Sequence, residues 1–307
     1  MSRRSLVVGV DGSTGSDAAV RWAAGEAAAR GLLLRIVHAA AGSPTGPPVL
    51  GAAGPVAPHW ERSAVRMTED ATALARRHQP AVPIETSLLA GEQPATVLAR
   101  AGDTAEMIVL GATGRGAVGR AVLGSTAVNV VRSVRRPAVV VREPASDVEP
   151  GPAAGHVVVG VDHSGLADAA VAFAFVEAAL RRVPLTAVHA WTTPPFTGMR
   201  SLEAGYEVDW SLSRERAAVT LPGLLADPRR DHPSVAVTEV VVEDMPAGAL
   251  IDASRGANLV VVGSRGRSAL AGLALGSVST TVLHRAHCRV AVVRPHLNRV
   301  AGRCSIR

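Results

Sequence analysis

The sequence predicts an α/β fold in two tandem domains, each a parallel sheet covered by helices on both faces. Three observations predict it. The chain has 307 residues, and at about 150 residues per domain that length fits two units. A long internal repeat divides it: Leu6-Val-Val-Gly-Val-Asp-Gly-Ser13 returns as Val157-Val-Val-Gly-Val-Asp-His-Ser164, with Asp11 and Asp162 lying 151 positions apart. Within each copy, short β-branched runs alternate with helical periodicity, the pattern of parallel strands joined by helical crossovers. A period this long means whole domains rather than a solenoid of short units.

In the first copy the strand-like runs are Leu6–Val10, Leu33–Val37, Val82–Leu88, Met107–Leu110 and Ala138–Val141, short and apolar enough to be buried on both faces. After the first, Ser13 or Ser16 can cap a helix reaching Arg30, with Ala18, Trp22, Gly25 and Ala29 on one stripe. Ala64, Met67, Ala71 and Leu74 share one face of a second helix. Pro94 suits the first turn of a third, and Ser125 opens a fourth whose inward face is Val128, Val131 and Val134. The second copy continues through Val235–Val242, a helix at Pro246–Ser254, Leu259–Val262 and Val290–Val293. The copies diverge most after the second strand: Ala41–His59 is rich in Gly and Pro, whereas Thr192–Trp210 carries more aromatics. Glu143–Gly155, with three prolines and two glycines, reads as a linker. The expected division is a domain over 1–143, a linker over 144–155, a domain over 156–295 and a basic tail over 296–307.

Composition narrows the function. Hydrophobic residues make up 48% and charged residues 19%, an ordinary globular balance. No apolar stretch approaches the ~20 residues of a membrane-spanning helix, and Asp11 interrupts the run after Arg3-Arg4 too early for an export signal. A cytoplasmic protein with no membrane association is expected. Cys288 and Cys304 are too few for a disulfide framework or a zinc site of their own. The sequence contains no lysine, so its 32 basic residues are all arginine. That excludes the lysine-bearing phosphate loop, a Schiff-base lysine and the kinase strand lysine. The formal charge of +6 suits anionic partners, but the arginines are dispersed, which favours a solvated surface over a nucleic-acid patch.

Residues shared by the two copies fall beyond the carboxyl ends of the strands, where open parallel sheets bind ligands. Asp11 and Asp162 end the first strand; His38-Ala39 and His189-Ala190 end the second. Gly111-Ala-Thr-Gly114 and Gly263-Ser-Arg-Gly266 follow the fourth, and nine residues later Gly124-Ser125 and Gly276-Ser277 open a helix. Such glycines let backbone amides approach an anion, and a helix start offers unpaired N–H groups at a positive dipole end. Arg115 and Arg265, flanking the second glycine on opposite sides, could grip a phosphate bidentately. Glycines that merely tighten a turn would explain one copy, but not the same spacing twice. The string Gly114-Arg-Gly-Ala-Val-Gly119 spells a dinucleotide fingerprint, yet it follows the fourth strand and the second copy reads Gly266-Arg-Ser-Ala-Leu-Ala271; it is set aside. Asp11 and Asp162 read as hydrogen-bond acceptors in preference to metal ligands, and His38 and His189 as packed rather than catalytic. His284, His287 and Cys288 lack counterparts in the first copy and are not read as a metal site.

On these residues the chain resembles the universal stress protein family, in the tandem two-domain form found in actinobacteria, over nearly all of 3–143 and 156–295. The most specific element is the G-x2-G-x9-G-[S/T] motif of the family's ATP-binding branch, met by Gly111, Gly114, Gly124, Ser125 and by Gly263, Gly266, Gly276, Ser277. The resemblance implies open five-stranded, Rossmann-like sheets of the adenine-nucleotide alpha-hydrolase type, and ATP, with or without Mg²⁺, held largely by backbone. It implies that Gly9 and Gly160 with Asp11 and Asp162 face adenine and ribose, and that Ala39 and Ala190 offer main chain to the adenine edge. The loops carrying Gly111, Gly114, Arg115 and Gly116, and Gly263, Arg265 and Gly266, would wrap the phosphates. Gly124, Ser125 and Thr126, and Gly276, Ser277 and Val278, would cap them. Thr126 against Val278 costs the second site a hydroxyl, and Gly12 stands against His163, so the sites need not be equivalent. Each half's last strand should form an edge needing cover, and the resemblance suggests pairing between domains of one chain or in a homodimer. The expected function is a nucleotide-dependent regulator or sensor in stress response and growth control, with no regulatory partner identifiable. A slow ATPase or phosphoryl-transfer enzyme is the alternative, disfavoured by the missing lysine and the lack of paired metal carboxylates.

Overall fold

A computed structural model describes residues 3–40, 57–90, 92–114, 123–142, 155–162, 167–191, 211–265 and 275–295. Among them the first half contains β1 (Ser5–Val10), α1 (Thr14–Arg30), β2 (Leu33–Ala40), α2 (Ala57–His78), β3 (Ile84–Ala90), α3 (Pro94–Asp103), β4 (Met107–Gly111), α4 (Ser125–Ser133) and β5 (Ala138–Val141). The second half repeats the order with β6 (Val157–Gly160), α5 (Asp168–Arg181), β7 (Leu185–Trp191), α6 (Ser211–Asp231), β8 (Val237–Glu243), α7 (Pro246–Ala253), β9 (Leu259–Gly263), α8 (Ser277–Arg285) and β10 (Arg289–Val293). No helix among the described residues is long and apolar enough to cross a membrane.

Local chemistry explains the boundaries. Ser13 caps α1, its Oγ accepting from the Ser16 amide at 3.2 Å, and Gly31 ends the helix in the left-handed region at φ 63°, where glycine carries no Cβ penalty. β1 and β5 are buried throughout, as their unbroken apolar sequences require. One expectation needs correction. The face of α1 packed into the core is Ala19, Val20, Ala23, Ala24 and Ala27; of the predicted stripe, only Ala18 is buried, whereas Trp22, Gly25 and Ala29 are partly exposed or exposed. The helix is rich in alanine on every side, so spacing alone does not single out its inner face. In α4 the inward residues are Ala127, Val130 and Val131, with Val134 buried at its C-cap and Val128 only half-buried.

The sheet order is β3-β2-β1-β4-β5-β10-β9-β6-β7-β8. Each half is a parallel five-stranded sheet, and the two fuse through antiparallel β5 and β10, where Ala138, Val139 and Val140 face Val292, Ala291 and Val290. The last strands therefore cover each other within one chain. One core layer lies under α1, α2, α5 and α6; the opposite layer lies under α3, α4, α7 and α8.

Two sets of polar contacts lock this seam. On the second layer, Arg142 Nη2 donates to the carbonyls of Leu283 (2.6 Å) and His284 (2.9 Å) in the last turn of α8. Arg294 Nη2 reciprocates, donating to Val131 (3.1 Å) and Arg132 (2.5 Å) in the last turn of α4. A cation at a helix C-terminus suits both the free carbonyls and the dipole. On the first layer, Glu26 of α1 and Glu177 of α5 share Arg30 and Arg181: each guanidinium bonds both carboxylates, the Arg181–Glu26 contact measuring 2.6 Å. Arg30 also lies over the Phe173 ring (5.9 Å) and Arg181 over the Trp22 ring (5.3 Å), within cation–π range.

Candidate functional site

The strand ends converge as the repeat predicts. In the first half, Asp11 leaves β1 and its Oδ1 accepts from the Ser13 amide (3.0 Å) and hydroxyl (2.6 Å). Ser13 Oγ in turn reaches the Thr113 carbonyl at 3.1 Å, tying the start of α1 to the loop after β4. Gly114 lies against the same aspartate, for a Cβ built there would stand 2.8 Å from Asp11 Oδ2. Ser13, expected from the sequence only as a helix cap, joins the site as the link between Asp11 and Thr113, and Thr113 carried no signal of its own.

The loop after β4 is held at both ends by backbone. The Ala112 amide donates to Val141 at 2.9 Å, and the Gly124 amide closes back on the Ala112 carbonyl at 2.8 Å. The second half does the same through Ser264 to Val293 and Gly276 to Ser264, both at 2.8 Å. Gly124 and Gly276 are the N-caps of α4 and α8, without a side-chain cap or an acidic residue in the first turn. The first amides of each helix lack intrahelical acceptors and lie at a positive dipole end. Ser125, Thr126 and Ser277 are exposed there, and Val278 is half-buried. Each half thus presents an anion-ready helix start, fixed in place by its own loop.

The glycines divide by role. A Cβ at Gly111 would lie 2.5 Å from the Gly15 backbone and 2.8 Å from the Ser16 amide, so its missing side chain admits the first turn of α1. Gly9 makes room for Leu98 and Leu110, and Gly160 for Leu250; both face the packed layer beneath α3 and α7. A Cβ at Gly124 or Gly276 would meet nothing closer than 3.6 Å, an ordinary van der Waals contact. Gly114 is not among the glycines with positive φ, so its constraint is the approach of Asp11.

His38 Nδ1 meets the Val10 carbonyl and His189 Nδ1 the Val161 carbonyl, both at 2.8 Å. A carbonyl only accepts, so Nδ1 carries the proton in each, and both rings staple β2 to β1 and β7 to β6. β1 pairs with β2 only as far as Val10 opposite His38, while β2 stays paired with β3 through Ala39 and Ala40. β7 likewise outruns β6, pairing with β8 through Ala190 and Trp191. Ala39 and Ala190 therefore sit past the neighbouring strand, beside Asp11 and Asp162. Arg265 is exposed at the end of β9; Arg115, Gly116 and Gly266 lie outside the described residues. Among the described residues no three of His, Cys, Asp and Glu gather as a metal site. Cys288 is a buried thiol that burial pushes up to about 12, and the His287 amide is bound to Ser254 Oγ at 2.9 Å.

Comparison with known proteins shows the family and the fold. The Universal stress protein family matches residues 2–142 and 154–294. Universal stress protein Rv2005c of Mycobacterium tuberculosis is 38% identical over 304 residues, covering 95% of this chain and 97% of the relative. Universal stress protein Rv2623 of the same organism is 35% identical over 303 residues, covering 96% and 98%. A crystal structure of a universal stress protein from Archaeoglobus fulgidus has a TM-score of 0.63 at 16% identity, covering 96% of this chain and 100% of its own.

Proposed function

The chain belongs to the universal stress protein family, and we propose that it is a cytoplasmic regulator that binds ATP in both halves. The observation that carries this is the duplicated loop closure, Gly124 on Ala112 and Gly276 on Ser264 at 2.8 Å each, which sets an uncapped helix start beyond the same strand ends twice. In this reading the amides at Ser125-Thr126 and Ser277-Val278 take the phosphates, helped by the loops that carry Gly114, Arg115 and Gly116, and Arg265 and Gly266. Asp11 and Asp162 accept ribose hydroxyls, and main chain at Ala39 and Ala190 reads the adenine edge. With no metal trio among the described residues, Mg²⁺ would be held chiefly by the nucleotide's own phosphates, and the protein supplies orientation.

Regulation is favoured over catalysis by what the side chains already do. Both histidines spend Nδ1 on a strand carbonyl, and the chain has no lysine to stabilise charge on a transferring phosphoryl group. The helices that begin at the two phosphate loops end on an arginine from the opposite half, so occupancy at one site acts on elements anchored in the other. Mass spectrometry of small molecules released from the unfolded purified protein, paired with a steady-state ATP turnover assay, tests the reading. Bound adenine nucleotide without sustained turnover is expected; turnover abolished by Ser125→Ala or Ser277→Ala would establish the enzyme instead.

A further inference from the structure

A cavity of about 710 Å³ opens at the seam between the halves, lined from α1, the end of β5, the end of α5 and the start of β10. Its lining includes Ala18, Trp22, Gly25 and Ala29 of α1, with Arg181 at the end of α5 and Arg289 at the start of β10. The volume falls within the range of small-molecule sites. The lining combines apolar and small residues with several arginines.

The charges there do not balance. Glu26 lines the cavity, but its carboxylate is held by Arg30 and Arg181. Arg289 bonds only the Asn258 carbonyl, through Nη1 at 3.4 Å, and its Nε is buried without a partner. Arg142, also at the cavity, spends Nη2 on Leu283 and His284 and leaves its own Nε buried and unpartnered. No carboxylate among the described residues pairs with either. Burial disfavours the charge on both guanidiniums, and Arg181 adds like-charge repulsion at Arg289. A buried cation without a counter-charge is destabilising. Nor does the repeat require this one: the position corresponding to Arg289 in the first half is Pro137.

We propose that the seam cavity is a second ligand site, distinct from the nucleotide sites, for a small organic anion. Its carboxylate or phosphate is taken by Arg289 with Arg181 alongside, and its apolar body rests on Trp22 and the small residues of α1. Such a ligand touches α1 and β5 of one half and α5 and β10 of the other, and so bridges the two domains.

The full chain, saturated with ATP to occupy the strand-end sites, is titrated with phenyl phosphate, with benzoate and with neutral benzyl alcohol at constant ionic strength. The readouts are the thermal midpoint and tryptophan fluorescence. At least one anion is expected to raise the midpoint saturably and alter the fluorescence, whereas the alcohol does neither; which anion responds identifies the headgroup. Arg289→Met should abolish the response and raise the midpoint in buffer alone, because it removes the uncompensated charge. Gly25→Leu supplies an independent arm: a Cβ at Gly25 meets nothing within 4 Å, so leucine enters the cavity without straining the helix and should also abolish the response. No saturable response to either anion, or a response unchanged in Gly25→Leu, would overturn the site and leave the ATP reading untouched.

Discussion

The two halves use the same backbone and different side chains, and the division follows chemistry. The main-chain contacts that close the loop after the fourth strand recur: Gly124 on Ala112 and Gly276 on Ser264, Ala112 on Val141 and Ser264 on Val293. So do the two histidine staples. Side-chain positions diverge. Thr113 faces Arg265, Thr126 faces Val278, and Ala40 faces Trp191. A cradle of amides survives such divergence because it depends on fold and not on residue identity. The halves should therefore bind the same class of ligand with unequal strength.

The largest effect should come from the seam, where the halves are most alike. Glu177 is fully buried against Arg30 and Arg181, and Glu177→Ala leaves those cations without half their counter-charge. A loss of about 3–5 kcal/mol is expected, read as a lower denaturant midpoint and, where the halves uncouple, two transitions in place of one. Next comes a contrast between glycines of one motif. Gly111→Ala drives a Cβ into the backbone of Gly15 and should destabilise by roughly 1–3 kcal/mol. Gly124→Ala, whose methyl would meet nothing closer than 3.6 Å, should leave the unfolding midpoint nearly unchanged. Equal losses would show that the two glycines do not divide between packing and ligand access.

Exchanging side chains between halves sharpens the comparison further. Thr126→Val should weaken the first ATP site by about 0.5–1.5 kcal/mol, one hydroxyl hydrogen bond, and Val278→Thr should strengthen the second by a similar amount, both measured by calorimetry. The smallest effect is on pH. Burial, with the Glu26 charge beside it, pushes the Glu177 carboxyl up to about 7 despite its two arginines. The folded state then holds a proton that the unfolded chain has released, so stability falls as pH rises from about 4.5 to about 7 and levels off above. Glu177→Gln should flatten that interval in urea titrations at successive pH values.

Much of this was legible in the sequence, for identifiable reasons. β-branched runs placed the strands of the first half, with β5 at its expected bounds, because buried parallel strands need apolar residues on both faces. The repeat singles out Asp11, His38 and Gly124 at strand and helix ends, since equal spacing in two copies implies equal topology. The inner face of α1 was not legible, because alanine at most positions erases the contrast that periodicity needs. The Glu26–Arg30–Glu177–Arg181 cluster was hidden for a related reason: glutamate four residues before arginine looks like a solvated helix pair. Gly111 was read as an opening for an anion, whereas its space belongs to α1. Arg289 carried no signal, because the first half has Pro137 at the corresponding position.

Calorimetric titration of the full chain with ATP, repeated on Gly114→Ala, tests the duplicated cradle most directly. Two sites of unequal affinity are predicted, and the variant, whose new methyl meets Asp11 Oδ2 at 2.8 Å, should lose or weaken one of them while the other is unmoved. An absence of binding at millimolar ATP, or one site indifferent to substitutions at both helix starts, would contradict it.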